Sequence, residues 1–251
     1  MFNIIKYIDE KKKELRIVTK EAIAIFDSVL KKNFDDYDLE NWENNLSNLR
    51  VGFDTYKYKR AARYEVTNNT IYLRKIEYAR YLYHELFHVA SSYVSEDELD
   101  SGFMRLENNH IIGYGLNEGY TELLTERYID SNLGKNSIYY LEKYYALMLE
   151  ELIGQKQMES LYLDGNLIGL ISILFKYAKE DEITDFLQGL DDINDQKFDN
   201  DLIAHLNRIL LTWSIRKNDI DLEKGRISKE IRDDKILTYY KKVSKFPYTF
   251  D

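Results

Sequence analysis

The chain has 251 residues, of which 44% are hydrophobic, and a formal net charge of -9, so it can bury one sizeable core or two packed lobes. The acidic balance argues against nucleic acid and anionic membranes as partners, because binding to phosphate groups needs positive charge. The chain contains no cysteine, which excludes disulfides, thiolate zinc sites and a cysteine nucleophile. Any zinc ligand must therefore be His, Asp or Glu.

No targeting or membrane segment is predicted. Lys6 interrupts the apolar start of the chain, whereas a secretory signal peptide needs a longer apolar core. The longest later apolar stretch, residues 167–175, has about half the length that a membrane span needs. We therefore expect a cytoplasmic protein.

A helix and a small sheet are the first predicted elements. Apolar residues recur at helical spacing over residues 9–32. Residues 48–75 are rich in β-branched and aromatic side chains and predict a small antiparallel sheet, in which Asn68 and Asn69 can adopt positive φ at a turn. Helical spacing resumes over residues 76–90, which predicts one largely buried helix.

Helices are predicted to fill most of the remaining chain. Residues 101–116 favour a hairpin that turns at Asn108 and Asn109 and covers either a site or the core. A second helix is predicted over residues 117–129, and everything from Tyr139 onward fits helices with acidic or glycine-containing joints. The expected fold class is therefore α+β and predominantly helical, with a small antiparallel sheet.

The predicted helix over residues 76–90 carries the sequence HELFH at residues 84–88. Positions four apart lie about 40° round a helix and about 6 Å along it, so His84 and His88 share a face and can share a cation. Hydrolytic zinc sites use three protein ligands and a water molecule. Glu85 would project about 100° from His84, where it could reach that water as a general base.

A second predicted helix offers candidates for a third ligand. The metzincin pattern would need glycine and histidine where this chain has Ser91 and Val94, so that class is excluded. Glu118 and Glu122 lie four residues apart on the predicted helix at 117–129, opposite an apolar stripe. One face of that helix therefore carries carboxylates.

The sequence HELFH, followed by LNEGYTE at residues 116–122, resembles the gluzincin metallopeptidases, which include the thermolysin-like proteases and the aminopeptidase N relatives. The resemblance implies a zincin-like fold and peptide-bond hydrolysis, with His84, His88 and Glu118 as zinc ligands and Glu85 as the general base on zinc-bound water. Asn117 and Glu122 would lie behind the ligands. The carboxylate of Glu122 would accept a hydrogen bond from a zinc-bound histidine and so orient its ring. Substrates would be peptides or proteins.

The resemblance also divides the chain into two lobes. Residues 1–135 would form a zincin-like catalytic lobe, and residues 136–251 a helical lobe that supplies the other wall of a cleft.

The spacer between His88 and Glu118 has 29 residues, which is longer than in the best-known branches. No G-A-M-E-N sequence precedes the HELFH helix, so exopeptidase action gains no support.

Two other interpretations stay open. The chain could be a non-catalytic metal-binding or regulatory protein with a zincin-like fold, whose structural metal has four protein ligands. Without a metal, the two histidines would make ordinary core hydrogen bonds.

Of the other candidate residues, His110 is assigned to a surface turn and His205 to a structural role on a C-terminal helix, while Tyr114 and Tyr120 are assigned to the core.

Overall fold

Helices make up most of the chain in the computed structural model, which describes residues 2–54, 60–95, 98–107, 110–131 and 138–244, with side chains from Asp9 onward. The helices are α1 (Phe2–Asn33), α2 (Glu40–Asn48), α3 (Leu82–Ala90), α4 (Tyr114–Tyr128), α5 (Tyr140–Ile153), α6 (Gln155–Leu163), α7 (Leu167–Leu174), α8 (Glu180–Asn194), α9 (Asn200–Glu223) and α10 (Lys229–Val243). The strands are β1 (Arg50–Phe53), β2 (Ala62–Glu65), β3 (Thr70–Leu73), β4 (Ser92–Val94), β5 (Leu99–Ser101), β6 (Met104–Glu107) and β7 (His110–Ile112). The predicted α+β class is confirmed. In the described ranges, no helix is long and apolar enough to cross a membrane.

The first sheet has the strand order β1-β3-β2. Strands β2 and β3 form the predicted antiparallel hairpin, and Asn69 adopts the left-handed conformation at its turn, with φ of 49°. Strand β1, however, pairs with β3 in parallel, so the antiparallel prediction is wrong for this pair. Strand β3 lies between β1 and β2, so β1 and β2 are not neighbours although they are consecutive in the chain. Residue patterns do not reveal this strand order.

The HELFH segment lies on a shorter helix than predicted. Residues Ile76–Tyr81 form a 3₁₀ segment, and only Leu82–Ala90 are α-helical. No side chain of the 3₁₀ segment is buried, whereas eight of the nine residues of α3 are. Over so few residues, the spacing of apolar side chains does not distinguish a pitch of about 3.0 residues from one of about 3.6.

A second sheet fills the spacer between α3 and α4. Its four antiparallel strands follow the order β4-β5-β6-β7, and the predicted hairpin corresponds to β6 and β7, whose residues Glu107 and His110 pair. The turn residues Asn108 and Asn109 lie outside the described residues. Strands β4 and β5 were not predicted, because each has only three residues and they include the polar Ser92, Asp100 and Ser101.

The C-terminal half holds α4 in position. Helix α4 packs against α5 and α8, and the carboxylate of Asp191 on α8 accepts hydrogen bonds from the backbone N–H groups of Gly113 and Gly115 at the start of α4. One cluster of buried apolar side chains extends from Leu15 on α1 to Val243 on α10. The division into lobes after residue 135 stays a prediction.

Gly119, directly after Glu118, sets the distance between α4 and α5. A Cβ atom at this position would lie 2.3 Å from the backbone carbonyl carbon of Glu142 on α5. We expect Gly119→Ala to lower the free energy of unfolding by about 1–3 kcal/mol or more, because α5 would have to move. Urea denaturation measures this change. Gly52→Ala is the control, since a Cβ there meets nothing within 4 Å. Equal losses in the two variants would contradict the argument.

Candidate metal centre

Three buried side chains converge where α3 packs against α4. His84 and His88 come from α3, Glu118 comes from α4, and each is at most 6% exposed. The two Nε2 atoms lie 3.2 Å apart. Oε2 of Glu118 is 3.1 Å from Nε2 of His84 and 3.7 Å from Nε2 of His88. Each residue therefore contributes one ligand atom to a single small triangle.

The size of this triangle suits a small metal ion. Zinc bonds of about 2.0–2.1 Å in a tetrahedron place neighbouring ligand atoms about 3.3 Å apart. The three measured separations, 3.1, 3.2 and 3.7 Å, lie around that value. Calcium binds mainly oxygen at longer distances, whereas two imidazoles and a carboxylate suit transition metals. The group can therefore hold a metal ion.

Glu122 fixes the orientation of the His84 ring. Its Oε2 lies 3.0 Å from Nδ1 of His84, so the Nδ1–H group donates to the carboxylate and Nε2 faces Glu118. Burial lowers the pKa of His84, but the hydrogen bonds to Glu118 and Glu122 outweigh it and raise the pKa to about 10. Nε2 therefore holds a proton when no metal competes for its lone pair.

His88 makes a different contact behind the ligand group. The side-chain amide nitrogen of Asn117 lies 3.2 Å from Nδ1 of His88, while its Oδ1 accepts a hydrogen bond from the backbone N–H of Phe103. In this arrangement, Nδ1 accepts the amide proton. A metal on Nε2 requires the other tautomer, in which Nδ1 carries the proton, and Thr121 Oγ1 lies 3.5 Å away as an acceptor.

Glu85 and Glu118 have opposite pKa shifts. Burial raises the pKa of Glu85, and the nearby His84 and His88 offset this only in part. Burial also disfavours the charge of Glu118, but hydrogen bonds from the two histidines outweigh it and hold its pKa well below the usual range. Glu118 can therefore serve as an anionic metal ligand, and Glu85 is the stronger base of the two.

Two recesses lie next to the triangle and share part of their lining. His88, Glu118 and Tyr114 line the first recess. The second has a volume of about 270 Å³, and His84 and Glu122 lie along its wall. The four residues that line both recesses are Arg60, Ala62, Glu85 and Tyr139. Glu85 thus lines both recesses, and the two recesses together form the cleft.

Three residues of this cleft have roles that were not predicted. The ring of Tyr139 stacks on His84 at 5.5 Å, and Arg60 contacts both Glu118 and the hydroxyl of Tyr114. Tyr114 is half-buried and lines the cleft, so its assignment to the core is wrong. Its position four residues before Glu118 on α4 could have revealed this. No sequence signal links Arg60 or Tyr139 to the site.

The other candidate residues lie elsewhere. Tyr120 is fully buried and donates a hydrogen bond to Glu150, which confirms its assignment to the core. His110 is exposed on β7. Nε2 of His205 on α9 lies 3.3 Å from the carboxylate of Asp185 on α8, away from the triangle.

The chain was compared with protein-family models, with curated proteins and with solved structures, and none of them matched.

The carboxylate behind His84 should tune metal affinity. In Glu122→Gln, a neutral amide replaces the charged acceptor of the Nδ1 proton, so the ring becomes a weaker ligand. We expect a loss of about 10–100-fold in zinc affinity, measured by competition with a chromophoric chelator. Glu126→Gln is the control, because Glu126 lies one turn further along α4 and pairs with Lys143. Equal affinities in the two variants would show that Glu122 does not orient His84.

Metal binding should also displace a proton from His84. Because its pKa is about 10, the ring is protonated at pH 7, and a metal must replace that proton on Nε2. We expect zinc to release at least one proton at pH 7, and its apparent affinity to fall about tenfold for each unit that the pH is lowered. Calorimetry in buffers of different ionisation enthalpy counts the protons. Binding without any release would contradict the assignment of Nε2 as a ligand.

Proposed function

We propose that this protein is a zinc-dependent metallopeptidase of the gluzincin type, with a zincin-like catalytic lobe. The observation that carries the proposal is the triangle of His84, His88 and Glu118, whose dimensions suit three corners of a zinc tetrahedron and which has Glu85 beside it in an open cleft. The order of these residues along the chain, HELFH and then a glutamate on a second helix, supports the same assignment.

The number of ligands favours a catalytic metal over a structural one. A structural zinc ion has four protein ligands, whereas a hydrolytic one has three and leaves a position for water. Within the described part of the chain, the group contains three residues. A zinc ion held by this group would therefore have three protein ligands and could also bind a water molecule.

In the proposed reaction, His84, His88 and Glu118 would hold the zinc ion. A bound zinc ion would polarise the scissile carbonyl and lower the pKa of water. Glu85 accepts one proton from the attacking water as its oxygen adds to the carbonyl carbon. Glu85 then passes this proton to the leaving nitrogen as the C–N bond breaks. Its raised pKa suits both steps, because burial makes the carboxylate a stronger base towards water and the resulting acid can return the proton to the leaving nitrogen.

Strand β2 offers a place for an extended peptide. Among the strands that the structure describes, β2 is at the edge of its sheet, and the consecutive residues Ala62, Arg63 and Tyr64 line the recess beside Glu85. Neighbouring residues of a strand point to opposite faces, so a recess lined by three in succession lies along the strand's edge. A peptide could add to this edge through backbone hydrogen bonds, which would bring its carbonyl groups past the ligand triangle.

Two tyrosine hydroxyls lie close to the reacting groups. Burial raises the pKa of Tyr114 and of Tyr139, and the negative charge of Glu118 adds to this shift in both cases. Both hydroxyls therefore keep their protons at neutral pH. They can supply hydrogen bonds to the negative charge that develops on the carbonyl oxygen.

The decisive variant is Glu85→Gln, which keeps the shape of the side chain and removes the base. We expect zinc to remain bound and peptide cleavage to fall by at least about 10²–10⁴-fold. Mass spectrometry of a mixed peptide library measures cleavage, and elemental analysis measures zinc. Glu107→Gln is the control, since Glu107 is exposed on β6. If Glu85→Gln cleaves peptides as fast as the unaltered protein, the assignment of the base fails.

A further inference from the structure

We propose that Arg60 makes the cleft selective for substrates that carry a carboxylate next to the bond to be cleaved. The carboxylate could be the C-terminal group of the substrate or an acidic side chain, and both would present the same two oxygens to the guanidinium. The proposal rests on the proposed peptidase function, because it names the substrate class of the same cleft.

Arg60 lies in the cleft and is partly accessible to solvent. It lines both recesses of the cleft, and its side chain is 37% exposed, in contrast to the buried ligand residues. The rings of Tyr114 and Tyr139 flank the guanidinium, with ring centroids at 5.4 and 5.9 Å from its central carbon. The two aromatic rings thus hold the charged group in the cleft while part of it stays accessible.

The guanidinium also has hydrogen-bond donors to spare. In the part of the chain that the structure describes, its polar contacts are made by Nη1, to the hydroxyl of Tyr114 and, at 3.5 Å, to Oε1 of Glu118. A guanidinium has five N–H groups, and two of them in parallel match the two oxygens of a carboxylate. Nη2 and Nε therefore leave such a pair available to a ligand.

Glu118 places this cation next to the ligand triangle. One of its oxygens, Oε2, belongs to the triangle, and the other, Oε1, faces Arg60. A single carboxylate group therefore separates the ligand atoms from the guanidinium. Because one extended residue spans about 3.3–3.6 Å, a substrate carboxylate held by Arg60 would belong to a residue adjoining the scissile bond.

Arg63, a second arginine of the cleft, differs from Arg60 in its contacts. Arg63 forms ion pairs through Nε with Asp54 and through Nη1 with Glu65, and it stacks on Tyr72 at 4.3 Å. Its donors thus serve the strands around it. Among the described residues, Arg60 makes one ion pair, with a carboxylate whose other oxygen is a candidate metal ligand. A dication on Glu118 would compete for that charge and free Arg60 for a substrate.

Binding to the zinc-loaded Glu85→Gln protein tests the proposal without turnover. Three peptides of one neutral sequence are compared by calorimetry: one has a free C-terminal carboxylate, one has a C-terminal amide, and one has the amide together with an internal Glu in place of Gln. We expect one of the two carboxylate peptides to bind about 10–100-fold more tightly than the neutral amide. Which of the two binds tightly identifies the C-terminus or the acidic side chain as the source.

The role of Arg60 is tested by adding Arg60→Gln to the same protein, with Arg63→Gln as the matched control. We expect Arg60→Gln to weaken the carboxylate peptide more than the neutral one and so to reduce the preference to less than about threefold, while Arg63→Gln keeps the preference. Elemental analysis measures bound zinc in both variants. The proposal is overturned if no preference exists or if Arg60→Gln leaves it intact. An equal loss for all peptides would also overturn it, because Arg60 would then only position Glu118.

The outcome is separable from that of the peptidase proposal. A carboxylate preference that depends on Arg60, in a protein that cleaves no peptide, would retain the role of Arg60 and refute the peptidase. Cleavage that depends on Glu85, without any preference for a carboxylate, would do the reverse.

Discussion

The contact between α3 and α4 is the constraint on which the rest of the molecule depends. The ligand triangle exists only where His84 and His88 on one helix meet Glu118 on the other, across 29 intervening residues. The C-terminal half fixes α4 for this purpose, because α5 packs closely against Gly119 and Asp191 accepts hydrogen bonds from the first turn. Helices that lie far from the cleft in sequence therefore determine its geometry.

The same contact buries several charges, which links stability to metal binding. Removing one partner of a buried ion pair leaves an uncompensated charge and costs several kcal/mol, so the carboxylates of Glu118 and Glu122 both need the His84 ring or a cation. A proton on His84 meets this need in part. A metal ion would meet it more fully, and any ion that binds only the folded state stabilises that state by mass action.

The sequence predicted the parts of the site that follow from helical periodicity. Spacing by four placed His84 with His88 on one face, and Glu118 with Glu122 on another, and the structure brings the two faces together. The sequence could not predict the order of β1, β2 and β3. Which strands pair depends on the path of the chain between them, and residue patterns within the strands do not encode that path. Arg60 and Tyr139 were missed for the same reason: each reaches the cleft through tertiary packing, and neither belongs to a periodic pattern.

The overall charge of the chain bears on how a carboxylate could be recognised in this cleft. A net charge of -9 repels an acidic substrate at long range, which slows association and adds nothing to selectivity for carboxylates. The attraction must therefore come from short-range contact with Arg60 in a partly desolvated cleft, where a hydrogen-bonded ion pair is screened less by salt. Added salt would weaken the long-range repulsion more than the local contact. Selectivity that originates at Arg60 should therefore persist at ionic strengths that abolish electrostatic steering.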